Sequence, residues 1–320
     1  MGRISQVFAG IAAAMLVLLH SPTLKAEPLF PEWYGQGPAS PLEFEVGTRY
    51  WYSSGKEQKT LYDGTGAVRL SRLTWTGQTG NSAEGYFNIK DASVFVKGYF
   101  GFGILGGGNL QDEDFPAFGF SPYSSTNSNA KNGHLSYASM DLGYYFMDTA
   151  RAKLGPFIGY HYYRENMNAF GCTQTATNLA VCVPSIPDSV RVLSQLNNWY
   201  SARVGAAGEW TIVPNLKLSG DAAYLPYVKL KAADTHWLRL GITFDGPTPE
   251  TAHGTGMQLE SVLTYYFNDN LSLGVGGRYW RMDAPHGTAH FEDSTLNGGP
   301  QVEKFKTDRY GAFVQIGLKY

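Results

Sequence analysis

The chain has 320 residues, with 25 Lys and Arg against 27 Asp and Glu, so its formal charge of −2 offers no electrostatic footprint for nucleic acid. Only 16% of the residues are charged, yet 38 are Gly, 21 Tyr and 18 Phe, and past the N-terminal stretch no apolar run is long enough to span a bilayer as a helix. Helical membrane proteins are thereby excluded, and alternating strands with one face in lipid and the other in water are favoured over a soluble periplasmic sandwich.

The first 26 residues read as a secretory signal. Arg3 supplies the positive start, the stretch from Val7 to Leu19 the apolar core, and Leu24-Lys25-Ala26 a small residue suited to cleavage. Their removal leaves about 294 residues, with 23 basic residues against 27 acidic.

Period-2 alternation then recurs along residues 27–320. The segment 42–52 places Leu42, Phe44, Val46, Tyr50 and Tyr52 on one face and Glu43, Glu45 and Arg49 on the other. Further strands are predicted within 70–87 and over 93–107, 135–146, 152–164, 200–212, 215–227, 257–267, 271–282 and 309–320. Short turns fall near Lys90-Asp91, Met147-Asp148-Thr149, Val213-Pro214 and Asn268-Asp269-Asn270. Five long polar segments, 53–68, 108–133, 165–198, 228–255 and 283–308, read as loops. About ten strands, with short periplasmic turns opposite five long extracellular loops, predict an all-β fold: a transmembrane antiparallel β-barrel. The alternating end of the chain, closing on Tyr320, suits a last strand anchored in the interfacial aromatic girdle.

Two short polar clusters carry the candidate chemistry. Asp112-Glu113-Asp114 follows the third strand, and Asp234-Thr235-His236 follows the seventh. In such a barrel they lie across the mouth from each other. Residues two apart on an extended segment point the same way, so Asp112 can converge with Asp114, and Asp234 with His236. Asp234 would fix the imidazole tautomer and leave the ring to take a proton from water. The carboxylate pair would share a proton, because both cannot ionise cheaply at close range. Either tripeptide taken alone is more simply a solvated loop acid cluster.

The run Gly106-Gly107-Gly108-Asn109-Leu110-Gln111-Asp112-Glu113-Asp114-Phe115 resembles the omptin outer-membrane proteases, and Asp234-Thr235-His236 is similar to their Asp-x-His. Ser54-Gly55-Lys56, Ser71-Arg72-Leu73-Thr74-Trp75 and Gly317-Leu318-Lys319-Tyr320 match in order. The resemblance implies a monomeric endopeptidase cleaving polypeptides at the surface of a Gram-negative cell, without a metal or covalent intermediate. Asp112, Asp114, Asp234 and His236 would be its catalytic residues. It also implies dependence on lipopolysaccharide, for which Tyr160 and Arg164 match part of the binding site. Arg164 snorkelling at the membrane interface explains that residue equally well. Substrate recognition departs from the family pattern: Lys59 and Ala232 stand where acids for a basic side chain are expected, with Glu57, Asp63 or Glu113 as possible substitutes. Cleavage at basic sites is therefore expected to be weak or altered.

Other features point to less. Cys172 and Cys182 sit close together in a polar segment and are expected to form a disulfide stapling a loop. His286 and His290 have helical spacing, but Pro285 and Gly287 argue for a loop and no metal is assigned to them. The rival functions are a catalytically silent barrel serving as a surface adhesin and a small porin. The inward Glu43, Glu45, Arg49 and Trp51 argue for a filled lumen against the porin.

Overall fold

A computed structural model describes residues 42–117, 119–240, 246–290 and 300–320. The expected signal segment and residues 27–41 lie outside them. The compact unit Glu43–Tyr320 is built entirely from antiparallel strands. They are β1 (Glu43–Tyr62), β2 (Arg69–Asp91), β3 (Val94–Gly106), β4 (Asn109–Asp114), β5 (Ser124–Ala130), β6 (Gly133–Tyr144) and β7 (Met147–Asp148). They continue as β8 (Ala152–Gln174), β9 (Ile186–Val213), β10 (Leu216–His236), β11 (Thr248–Tyr266), β12 (Leu271–Ala289) and β13 (Gln301–Lys319).

The thirteen segments make ten staves. β3 and β4 both pair with β2 and form one stave interrupted at Gly107-Gly108; β5 and β6 both pair with β8 and form another. The two-residue β7 only closes the turn into β8. Each stave pairs with its neighbours in chain order, and β1 pairs with both β2 and β13, so the sheet closes on itself without an edge.

Alternation explains what each face does. Trp51, Ser53, Glu57 and Lys59 of β1 are buried in the lumen, while Tyr50, Tyr52 and Lys56 point outward. On the half of the barrel nearer the short turns, the exposed face carries Phe100, Ile104, Leu142, Ile158, Leu259 and Val314, the band that lipid requires. Beyond Tyr52, Tyr160 and Tyr227 the outward residues become polar: Lys56, Arg164, Lys229 and Lys231.

The staves are much longer than the alternating apolar segments. β1 has 20 residues and β9 has 28. At about 3.3 Å per residue, 20 residues cover about 66 Å, whereas a tilted spanning strand needs roughly 9–11 residues. Most of the five segments expected to be loops are therefore strand continuing past the bilayer: 53–62, 165–174, 186–198, 228–236, 248–255 and 283–289 all lie in the sheet. Among the described residues, the connections shrink to 63–68, 115–117 with 119–123, 175–185, 237–240 with 246–247, and 290 with 300. The lipid signature stops where the outer face meets water, but hydrogen-bonded pairing does not.

The lumen is filled at mid-height. Trp51 packs against Trp280 with ring centroids 4.8 Å apart and against Tyr137 at 5.4 Å. Arg278 contacts Glu84 at 2.7 Å and Glu260 at 2.6 Å, and Arg49 meets the same two carboxylates at 3.0 Å each. Arg309 donates to Tyr163 and Glu165 above them. Paired charges and interlocked rings fill the lumen at this height, where a porin needs an open channel.

Candidate active site

The arm carrying Asp112 is set by a backbone step. Gly107 and Gly108 have φ of 68° and 97°, and a Cβ at Gly108 would lie 2.6 Å from the Thr76 carbonyl oxygen. Only glycine lets the stave approach β2 so closely there. Pairing resumes beyond it, with Asp112 opposite Leu73 of β2 and Thr126 of β5. Leu110 and Asp112 face a cavity, whereas Glu113 is on the opposite face of β4, 2.7 Å from Arg72. Glu113 is therefore turned away from any substrate pocket beside Asp112.

The second arm is the end of β10. Asp234 sits between Gln195 of β9 and Thr248 of β11, and His236 sits opposite Leu193. Asp234 Oδ2 lies 3.2 Å from His236 Nε2. The pairing expected from the Asp-x-His spacing is therefore present, although these residues end a strand rather than occupy a loop.

Lys59 enters the site from β1. Its Nζ donates to Asp234 Oδ2 at 2.6 Å, Glu250 Oε1 at 2.7 Å and Gln195 Oε1 at 3.1 Å. Gln195 in turn donates to Glu250 and to Asn197, whose amide donates to Glu57 at 2.6 Å. Lys59 thus does not stand as a lone ammonium in a recognition pocket; it is the cation of a buried network behind Asp234. Glu57 belongs to the same network, and Asp63 caps its own turn by accepting from Thr65 and Ala67.

These groups all lie beyond the lipid-facing band, and their ionisation follows from their neighbours. Burial by itself raises the Asp234 carboxyl, but the Lys59 ammonium and then His236 outweigh it and hold Asp234 well below the usual range. Burial disfavours the His236 imidazolium, yet the Asp234 charge and hydrogen bond lift its pKa above 6.5. Asp112 is pushed up to about 6, first by burial and then by the charge of Asp114, with His236 pulling the other way. Asp114 is raised by burial against the opposing pull of Arg239 and Ser71. Of the three carboxyls, Asp234 is held ionised, while Asp112 and Asp114 are shifted towards binding a proton more readily.

Asp112 and His236, from different staves, line one cavity of about 270 Å³. Another cavity, of about 90 Å³ and lined by Glu45, Arg49, Lys217 and Glu260, lies towards the short turns, away from these residues.

A profile of the omptin family matches residues 40–320. The chain belongs to the omptin family. Its fold resembles that of the outer membrane protease OmpT from Escherichia coli, with a TM-score of 0.75 at 15% identity, over 89% of this chain and 99% of that one. The translocator domain of autotransporter NalP from Neisseria meningitidis also aligns, with a TM-score of 0.38 at 14% identity over 90% of each chain. No curated protein matches at the sequence level. This omptin accordingly has the fold of that outer membrane protease.

The remaining residues singled out in the sequence lie elsewhere on this omptin. Tyr160 and Arg164 face outward on β8, far from the cavity. They were expected at the top of a strand, but β8 runs ten residues past Arg164, which places them at the upper edge of the apolar band. Through β9 they register with β10: Arg164 lies opposite Asn198, which lies opposite Lys231, and Tyr160 lies opposite Ala202, which lies opposite Tyr227. Lys229 and Lys231 also point outward there, on a segment whose sequence reads as loop. Cys172 and Cys182 are joined by a disulfide that ties the 175–185 connection to the end of β8. His286 is in β12, not in a loop, and stacks on His253 of β11 rather than meeting His290.

Proposed function

We propose that this omptin is an endopeptidase whose mouth faces the cell exterior and which hydrolyses polypeptides without a covalent enzyme intermediate. The observation that carries this reading is the Asp234–His236 contact on one side of a cavity whose other side bears Asp112. With Asp234 ionised beside it, the His236 imidazole takes a proton from a water held against Asp112, and the resulting hydroxide attacks the scissile carbonyl. The proton shared by Asp112 and Asp114 passes to the leaving amine, and His236 returns its own to the carboxylate pair. The products are a carboxylic acid and an amine, with both catalytic pairs restored.

Lipopolysaccharide is the natural partner of the outer wall. Arg164, Lys229 and Lys231 project just above exposed Tyr160, Tyr224 and Tyr227, a combination suited to phosphates over acyl chains. Neighbouring staves β8, β9 and β10 carry both this patch and His236, so a bound lipid would brace the strands that end in the catalytic arm.

The test is turnover. Refolded protein supplied with lipopolysaccharide is incubated with a diverse peptide library, alongside His236→Ala and Asp112→Asn variants. General acid–base groups contribute about 10²–10⁴-fold, so each variant should lose activity on that scale. Equal inertness of wild type and variants would leave a binding protein in place of an enzyme.

A further inference from the structure

The cavity shared by Asp112 and His236 is otherwise a largely apolar chamber. Its walls are Leu110, Val181, Ile186, Val192, Leu193 and Leu238, closed on one side by the Cys172–Cys182 bridge and softened by the hydroxyls of Thr126 and Ser128. The ionisable residues on those walls are Asp112, His236 and Arg239. Among the described residues that line it, only the proposed catalytic carboxylate would neutralise a substrate ammonium or guanidinium, and Arg239 would repel one. A dry cavity of about 150 Å³ walled by aliphatic side chains accommodates benzene, so about 270 Å³ is ample for a Phe or Leu side chain.

Of the other described acids near the chamber, Asp114 meets Ser71 and Arg239, and four more are committed elsewhere. Glu250 and Asp234 are bound to Lys59, Glu57 to Asn197, and Glu113 to Arg72 on the outer side of β4. We infer that this chamber is a substrate subsite for a bulky apolar side chain adjoining the scissile bond. The inference rests on the protease reading above for its position relative to the reaction, but not for what the chamber binds. The disulfide acts here as a wall: it holds Ala180 and Val181, which belong to no strand, against the chamber.

The experiment uses the full-length protein in detergent micelles with lipopolysaccharide and a peptide series differing at one central residue: Phe, Leu, Ala, Glu or Arg. Cleavage is measured for wild type and for Val181→Glu, which puts a carboxylate in the wall at a position outside the strand ladder. Binding of the same labelled peptides to His236→Ala is followed by fluorescence anisotropy. The expected result is kcat/KM for the Phe and Leu peptides at least about tenfold above Ala, with Arg lowest. Val181→Glu should reverse the order of Phe and Arg. Equal or better cleavage or binding of the Ala or Arg peptide by the unmodified chamber would overturn the inference. If nothing is cleaved but His236→Ala still prefers Phe and Leu peptides, the subsite stands and the protease reading falls. Absence of both turnover and preference removes both.

Discussion

The Nζ of Lys59 stands 2.6 Å from Oδ2 of Asp234, reaching it from a stave 175 positions earlier in the chain. The carboxylate that orients His236 is thus itself salt-bridged, and the same ammonium holds Glu250. Family resemblance marks position 59 as a place for substrate recognition. The geometry makes it a support for the Asp234–His236 pair.

Replacing that ammonium should therefore change the pH profile as well as the stability. Lys59 lowers the pKa of both Asp234 and His236. In Lys59→Met the imidazole would hold its proton to higher pH, so the rising limb of kcat/KM should move towards alkaline pH and activity at pH 6 should fall more than at pH 8. Leaving Asp234 and Glu250 buried without their cation should also cost about 3–5 kcal/mol, read from denaturant unfolding in micelles. An unmoved pH limb would assign Lys59 a purely structural role.

For wild type the sign follows from His236. Its pKa is raised above 6.5, and the base form needed to take a proton from water accumulates only above that raised value. Activity should therefore climb through the neutral range, with an apparent midpoint on the alkaline side of 6.5. In Asp234→Asn the supporting charge is gone, so the midpoint should shift to lower pH while kcat drops by about 10²-fold or more. A steady-state pH series on both proteins decides this; a rise in midpoint for Asp234→Asn would contradict the pairing.

The filled lumen predicts a barrel that barely conducts. Arg49, Arg278, Glu84 and Glu260 form a closed set of ion pairs beneath the Trp51–Trp280 contact. Planar-bilayer recordings should show no stable open level. Trp51→Ala should lower stability by about 3–5 kcal/mol, because surrounding staves cannot collapse into the space of an indole. A persistent porin-like conductance in the unmodified protein would refute the plug.

On the outer wall, Arg164→Ala combined with Lys231→Ala should weaken activation by lipopolysaccharide several-fold and leave folding unchanged, since both side chains project outward. Titrating lipid against turnover distinguishes the roles: a shifted half-saturating concentration marks a phosphate contact, whereas an unchanged curve marks simple snorkelling.

Fold legibility varied along each stave. Tyr50, Tyr52, Ile158 and Val314 announce a lipid-facing strand because water would not tolerate that row of side chains, and the number and order of the staves follow from such rows. Lys56, Arg164 and Lys231 announce nothing of the kind, so the same strands read as loops once their outer face turned polar. His253 and His286 became neighbours only through the register of β11 and β12.

By itself, the sequence determined the barrel, its ten staves and the residue types at Asp112, Asp114, Asp234 and His236, since alternation and local motifs are properties of neighbours along the chain. Tertiary structure alone decided that Lys59 serves Asp234, that Glu113 faces away, and that Leu110, Val181 and Leu193 line one chamber with Asp112 and His236. Those contacts join residues far apart in the chain, and closure of the sheet, not any local preference, sets which of them meet.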